Sequence, residues 1–134
     1  MSRYVTDTHA LYWHFTNDSR LSQAARQVFH AADSGLHQIL IPGIALIEMV
    51  YLVEKGRLDA GLVDQVFSAL DVVGGSYAVA PLDHHTAQDL RFIPRSAVPD
   101  MPDRIIVATA HQLGLPLITK DSAIHEADVV SVVW

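Results

Sequence analysis

The run Arg3-Tyr4-Val5-Thr6-Asp7-Thr8-His9-Ala10-Leu11-Tyr12-Trp13 sets the architecture of this chain. It starts as a short strand over Arg3–Asp7 and turns at once into a helix over Thr8–Phe15, with Thr8 as the expected cap. Asp7 stands at the junction. A lone charge in such apolar surroundings is costly unless it is paired or metal-bound. A strand-end acid directly before a helix is well placed to hold a metal at the mouth of a parallel sheet.

Downstream, the same alternation repeats. Asn17–Leu21 reads as a turn, and Ser22 caps a helix through about Ala32. Ala24, Ala25, Val28, Phe29 and Ala32 fall on one face, and Gly35 is a natural stop. Gln38–Ile41 reads as a strand. Pro42 stands near the start of a helix that runs to about Lys55, with Gly56 at its end. Asp59–Val73 reads as a helix with Leu62, Val63, Val66, Phe67 and Leu70 on its apolar face, broken by Gly74-Gly75-Ser76. Tyr77–Ala80 is a strand and Asp83–Leu90 a helix. Phe92–Pro102, with three prolines, is a loop. Asp103–Leu113 is a helix ended by Gly114, and Leu115–Thr119 and Val129–Val133 are the last strands. Apolar strands alternating with helices predict an α/β fold, a mainly parallel sheet covered on both faces. Ligands of such sheets sit beyond the carboxyl ends of the strands. Asp7 and Asp121 both lie at such ends.

Three further carboxylates share this setting. Glu48 lies inside Ile44-Ala45-Leu46-Ile47-Glu48-Met49-Val50-Tyr51-Leu52, where its helical neighbours Ile44, Ala45, Tyr51 and Leu52 predict a buried face. An unpaired carboxylate there would take up a proton or need a cation. An ion pair or a place at a sheet edge explains it equally well. Asp103 follows Pro102 at a helix start, with Asp100 as a candidate N-cap; an acid there is stabilised by the helix dipole whether or not it faces a cleft. Asp121 follows Leu117-Ile118-Thr119 and, like Asp7, taken alone is an ordinary turn or cap residue. The joint pattern carries the weight. Four carboxylates brought together form an oxygen-only set that suits Mg²⁺ or Mn²⁺ over zinc and points to phosphodiester hydrolysis.

Composition narrows the class. The 134 residues fit one domain, 1–134, with a substantial core. There is no cysteine, which removes disulfides and thiolate metal sites and fits a cytoplasmic location. The charged start predicts no signal peptide, and no apolar run approaches the ~20 residues that span a bilayer. The formal charge of −6 argues against gripping nucleic acid by bulk electrostatics. Metal on the four acids would take that figure to −2. The remaining grip would come from local cations such as Arg20, Arg57, Arg91, Arg95, Arg104 and Lys120.

At these residues the chain resembles the PIN-domain family, and within it the VapC-type toxins of toxin–antitoxin pairs. Thr6-Asp7-Thr8-His9-Ala10-Leu11-Tyr12-Trp13 resembles the first acidic motif, and Ile41-Pro42 through Glu48 into Tyr51–Arg57 the second. Asp100-Met101-Pro102-Asp103-Arg104 through Ala108 resembles the third, and Leu115–Asp121 the fourth; the closing Val133-Trp134 also fits. The match covers essentially the whole chain, in order. The resemblance implies a three-layer α/β/α sandwich and a Mg²⁺- or Mn²⁺-dependent endoribonuclease. It implies Asp7, Glu48, Asp103 and Asp121 as the catalytic and metal-binding acids, with Asp100 an auxiliary acid and Thr119 an auxiliary hydroxyl. It also implies single-stranded or structured RNA as substrate, an antitoxin partner and a homodimer. The chemistry would be in-line hydrolysis by water, with the 3′ oxygen leaving and Arg104 or Lys120 steadying the phosphate. One departure is Ala45, where many relatives carry Ser or Thr three residues before the second acid.

Rivals are a free-standing PIN nuclease of RNA processing and a non-catalytic PIN-like binding module; loss of an acid would mark the latter, and all four are present. A receiver domain needs an acidic pair near the first strand, which Asp7 lacks. Asp83-His84-His85 matches the triplet that names the DHH phosphoesterases, but without their further acidic motifs it predicts only a capped helix. Among the eight histidines no pair has zinc-helix spacing, and His9 is nearest to an acid.

Overall fold

The structure is a computed structural model that describes residues 2–134. β1 (Ser2–Thr6) leads into α1 (Thr8–Phe15) and α2 (Gln23–Asp33). β2 (His37–Pro42) is followed by α3 (Gly43–Glu54) and α4 (Ala60–Leu70). β3 (Tyr77–Ala80) leads to α5 (His84–Leu90) and α6 (Met101–Leu113), and β4 (Leu117–Ile118) to α7 (Ser122–Ala127) and β5 (Val132–Val133). The strands form one sheet in the order β3-β2-β1-β4-β5, parallel throughout.

The sheet is covered on both faces. Successive residues of a strand point to opposite faces. Ile39, Leu40 and Ile41 are nevertheless all buried, as are Leu117 and Ile118. Helices must therefore lie on each side, which gives the expected three-layer α/β/α sandwich. Phe29, Leu11, Met49, Ile106 and Ile124 fill the layers between helices and sheet.

The order of strands fixes where a ligand can sit. From β1 the chain moves outward to β2 and β3, then returns to the other side of β1 for β4 and β5. The reversal opens a crevice at the carboxyl ends of β1 and β4, the usual binding place of open parallel sheets. The Asp7 N–H donates to the Ile118 carbonyl at 3.1 Å, which ties those two ends together.

Several boundaries differ from the sequence expectation for local reasons. Asp7, not Thr8, caps α1: its carboxylate accepts the Ala10 N–H at 2.8 Å. α4 stops at Leu70, not Val73; Asp71 is its C-cap, and Val72 and Val73 stand exposed before Gly74 at a positive φ of 70°. Of its expected apolar face only Val63 and Val66 are buried, whereas Phe67 is exposed. α6 starts at Met101, so Pro102 belongs to its first turn. α7 was not expected. Asp121 caps it, accepting the N–H groups of Ala123 and Ile124 at 2.8 and 3.1 Å. Asp83 caps α5 as the sequence suggests, leaving its two histidines on the surface.

Candidate active site

A cleft of about 540 Å³ opens at the β1/β4 crevice. Asp7, Asp103 and Asp121 line it, with His9, Trp13, Arg20, Lys120 and Ser122. Each carboxylate arrives on a different element: the end of β1, the first turn of α6, and the junction of β4 with α7. Three stretches 96 and 18 residues apart in sequence thus meet because the sheet reverses beside β1.

Glu48 approaches from α3. It is half-buried, and Tyr51, which the sequence placed on its buried face, is 60% exposed. Glu48 is therefore not sunk in the core. Its Oε1 accepts the Thr8 hydroxyl at 2.7 Å. Thr8 itself is buried, so the bond fixes α3 against the start of α1 beside Asp7. Ala45 is wholly buried, and the hydroxyl that reaches Glu48 comes from α1 instead.

Burial and the neighbouring acids both act on the crevice carboxyls. Burial first, then the charges of Asp100, Asp121, Glu48 and Asp7, push the Asp103 carboxyl up to about 7. Asp7 is also raised, chiefly by burial; hydrogen bonds from Thr119 and Ala10 and the charge of His9 act against the shift, and Asp121 adds to it. Asp100 caps α6, accepting the Asp103 N–H at 3.1 Å, and so contributes charge from the helix start. Like charges grouped in this way favour the approach of a cation.

Thr119 holds the strand-end acids in register. Its side chain is buried; its hydroxyl oxygen accepts the Asp121 N–H at 3.1 Å and the hydroxyl serves Asp7. The His125 ring contacts the Thr119 carbonyl at 2.9 Å, locking α7 onto the end of β4. Arg104 plays no part in the cleft. Its guanidinium donates to the carbonyls of Ile93 and Leu90 at 2.8 and 3.0 Å and pins the loop between α5 and α6. Lys120 does line the cleft.

The donor set fits a hard divalent cation. The acidic groups that line the open crevice, Asp7, Asp103 and Asp121, offer only carboxylate oxygens. Among the described residues no three His, Cys, Asp or Glu side chains are grouped closely enough to hold a metal ion by themselves. Mg²⁺ does not need such a group, because it keeps several waters and binds through one or two carboxylates plus substrate phosphate.

Sequence reasoning missed two features. Thr8 was read as a cap and is the partner of Glu48. Trp13, which the sequence shows only as the end of the first acidic motif, lines the cleft, and Arg20 is placed there out of the six candidate cations.

Comparison with known proteins agrees with this architecture. Ribonuclease VapC22 of Mycobacterium tuberculosis is 30% identical over 121 residues, spanning 90% of this chain and 88% of that protein. The crystal structure of VapBC2 from Rickettsia felis bound to a promoter DNA fragment is similar with a TM-score of 0.71 at 12% identity, covering 97% of this chain and 96% of that one. DNA-bound VapBC from Salmonella typhimurium gives 0.68 at 18% identity, covering 98% and 97%. These structural likenesses establish a shared fold. The family model of the PIN domain matches residues 4–130. With that match over nearly the whole chain, the protein belongs to the PIN-domain family.

Proposed function

We propose that this protein is a divalent-metal-dependent endoribonuclease that acts as the toxin of a toxin–antitoxin pair. The observation that carries this reading is the convergence of Asp7, Asp103 and Asp121 in one crevice at the sheet reversal, with Asp103 pushed up to about 7. Similarity to a protein named as a VapC ribonuclease supports the substrate class.

Asp7, Asp103, Asp121 and Glu48 would hold Mg²⁺ or Mn²⁺, directly or through water. A bound cation supplies Lewis acidity, making water nucleophilic near neutral pH and offsetting charge on the phosphate. The chain's own residues do the positioning. Asp7 is fixed by the Ala10 N–H, and Asp121 by its cap of α7. The Thr8 hydroxyl sets the rotamer of Glu48. Thr119 keeps the two strand-end acids at a constant spacing. No side-chain nucleophile is required, and Asp100 adds negative charge at the rim.

An exposed apolar face supports the antitoxin and dimer parts of the reading. Ile47, Val50 and Tyr51 on α3, Phe67 on α4 and Met101 on α6 all stand at least 40% exposed. Grooves lined by Val50, Val53, Val63 and Phe67, and by Ile44, Ile47, Tyr51, Leu52 and Met101, flank α3. Exposed apolar patches of this kind mark interaction surfaces. The second groove also includes Glu48, so a partner seated there would lie against one of the site acids.

Incubating purified protein with RNA and Mg²⁺ tests the activity. Cleavage by the wild type that disappears in Asp7→Asn supports the reading; full activity in that variant rejects it. A small DNA-binding protein encoded just upstream and co-purifying with the chain supports the toxin role, and its absence favours a free-standing PIN nuclease.

A further inference from the structure

The wall of the cleft facing the carboxylates is cationic and built around one indole. The Arg20 guanidinium lies 4.9 Å from the centre of the Trp13 ring, and the Lys120 ammonium lies 5.8 Å from it. Both distances are within the range of cation–π attraction. Trp13 is only 8% exposed, with the His9 and Trp134 rings 5.8 and 5.9 Å away. Its faces are therefore occupied, and it has no free surface on which a base can stack. It serves as a platform that holds two cations toward the cleft.

The two cations differ in their commitments. Among the described residues no carboxylate is ion-paired with Lys120. Arg20 is paired: its Nε and Nη2 donate to the two Asp18 oxygens at 3.0 and 2.7 Å. Arg20's side chain is 60% exposed, and exposed ion pairs of this kind are weak. A phosphate arriving in the cleft can thus draw Arg20 away from Asp18. Lys120 is fixed in sequence between Thr119 and Asp121, so its backbone is set by the same strand end that places the acids.

We propose that Arg20 and Lys120, held on Trp13, form the subsite that binds the phosphodiester backbone of the RNA beside the bond to be cut, with Asp18 as a competing anion that occupies Arg20 when no RNA is present. The proposal rests on the endoribonuclease reading and adds to it the residues that hold the substrate. Because the indole is covered and both cations would contact phosphate and not base edges, this wall gives affinity without base preference. Selection among RNAs must then come from elsewhere on the surface.

The test uses a short single-stranded RNA oligonucleotide, with binding followed by fluorescence anisotropy across a salt series. The Asp7→Asn background keeps the probe intact. Arg20→Gln and Lys120→Gln should each weaken binding several-fold at low salt and lower the slope of log affinity against log salt by about 0.7. Arg20→Lys and Lys120→Arg should keep the wild-type slope, and Asp18→Asn should strengthen binding. Arg3→Gln, exposed at the amino end of β1 and away from the carboxyl-end cleft, controls for net charge and should change neither quantity. An unchanged slope in both Arg20→Gln and Lys120→Gln overturns the subsite while leaving RNA cleavage by the wild type as support for the nuclease. Absence of both binding and cleavage overturns the two together.

Discussion

At the corner where α1, α2 and β3 meet, Asp33 accepts the Tyr77 hydroxyl at 2.7 Å and contacts the His14 ring at 2.9 Å with its other oxygen. At the carboxyl ends of β1 and β4, Asp103 is acted on by the charges of Asp100, Asp121, Glu48 and Asp7. Asp33 stands exposed and the crevice acids stand half-buried, and in each region the neighbours decide what the carboxylate does. Asp33 bonds donors and joins three elements. Its proximity favours a proton on His14, but burial outweighs that and holds the imidazole below its ordinary value. The crevice acids have donors for some of their oxygens but face one another across open space. A satisfied acid stabilises the fold, whereas a cluster of like charges is destabilising until a cation joins it.

The sharpest way to break this contrast is to neutralise one crevice acid. Asp7→Asn should reduce Mg²⁺-dependent RNA cleavage by about a hundredfold or more, read as single-turnover rate on a labelled RNA. A loss below a few-fold would mean that the cluster is not the reaction centre.

Thr8→Val should slow cleavage by about tenfold, since it removes a hydrogen bond to a charged group. Thr8→Ser, which keeps the hydroxyl, should restore most of the rate. If Thr8→Val and wild type cut equally, the orientation of Glu48 does not matter.

Thermal melts against pH sharpen the electrostatic half. Asp103 is raised from 3.8 to about 7, so between those values the folded chain holds a proton that the unfolded chain has released. Metal-free stability should therefore fall as pH rises through that window and level off above about 7. Asp103→Asn should flatten the fall, and Mg²⁺ at pH 8 should raise the melting temperature of the wild type more than that of the variant. A pH-independent melt in the metal-free wild type would remove the like-charge argument.

The smallest effect belongs to the paired corner. Tyr77→Phe should cost about 1 kcal/mol in denaturant unfolding and leave cleavage unchanged. An activity loss there would mean that the two regions are coupled through α1.

Much of the fold was legible because its signals are local. The apolar strands, the helical spacing of Ala25, Phe29 and Ala32, and the caps at Ser22, Asp83 and Asp100 act over a few residues, and the structure has them as expected. α7 was missed because Ser122–Ala127 is short and only Ile124 within it is fully buried. The end of α4 was misplaced because Val72 and Val73 extend its apolar pattern although the helix stops before them. Residue type and order single out the four acids as candidates, and three of them, Asp7, Asp103 and Asp121, line one crevice. The sequence also overstated the burial of Glu48, since pattern alone cannot tell a helix face packed on the core from one at an open groove.

The sequence by itself determined the alternating α/β plan, the acidic residues and the membership implied by their order, because each of these is carried by local chemistry or by motif. Only the tertiary structure decided that Asp7, Asp103 and Asp121 share one crevice, that Thr8 reaches Glu48, that Arg104 is spent on a loop, and that Trp13 carries Arg20 and Lys120. Those contacts join residues far apart in the chain. They depend on the sheet reversing beside β1, and the sequence does not encode a strand order at any one position.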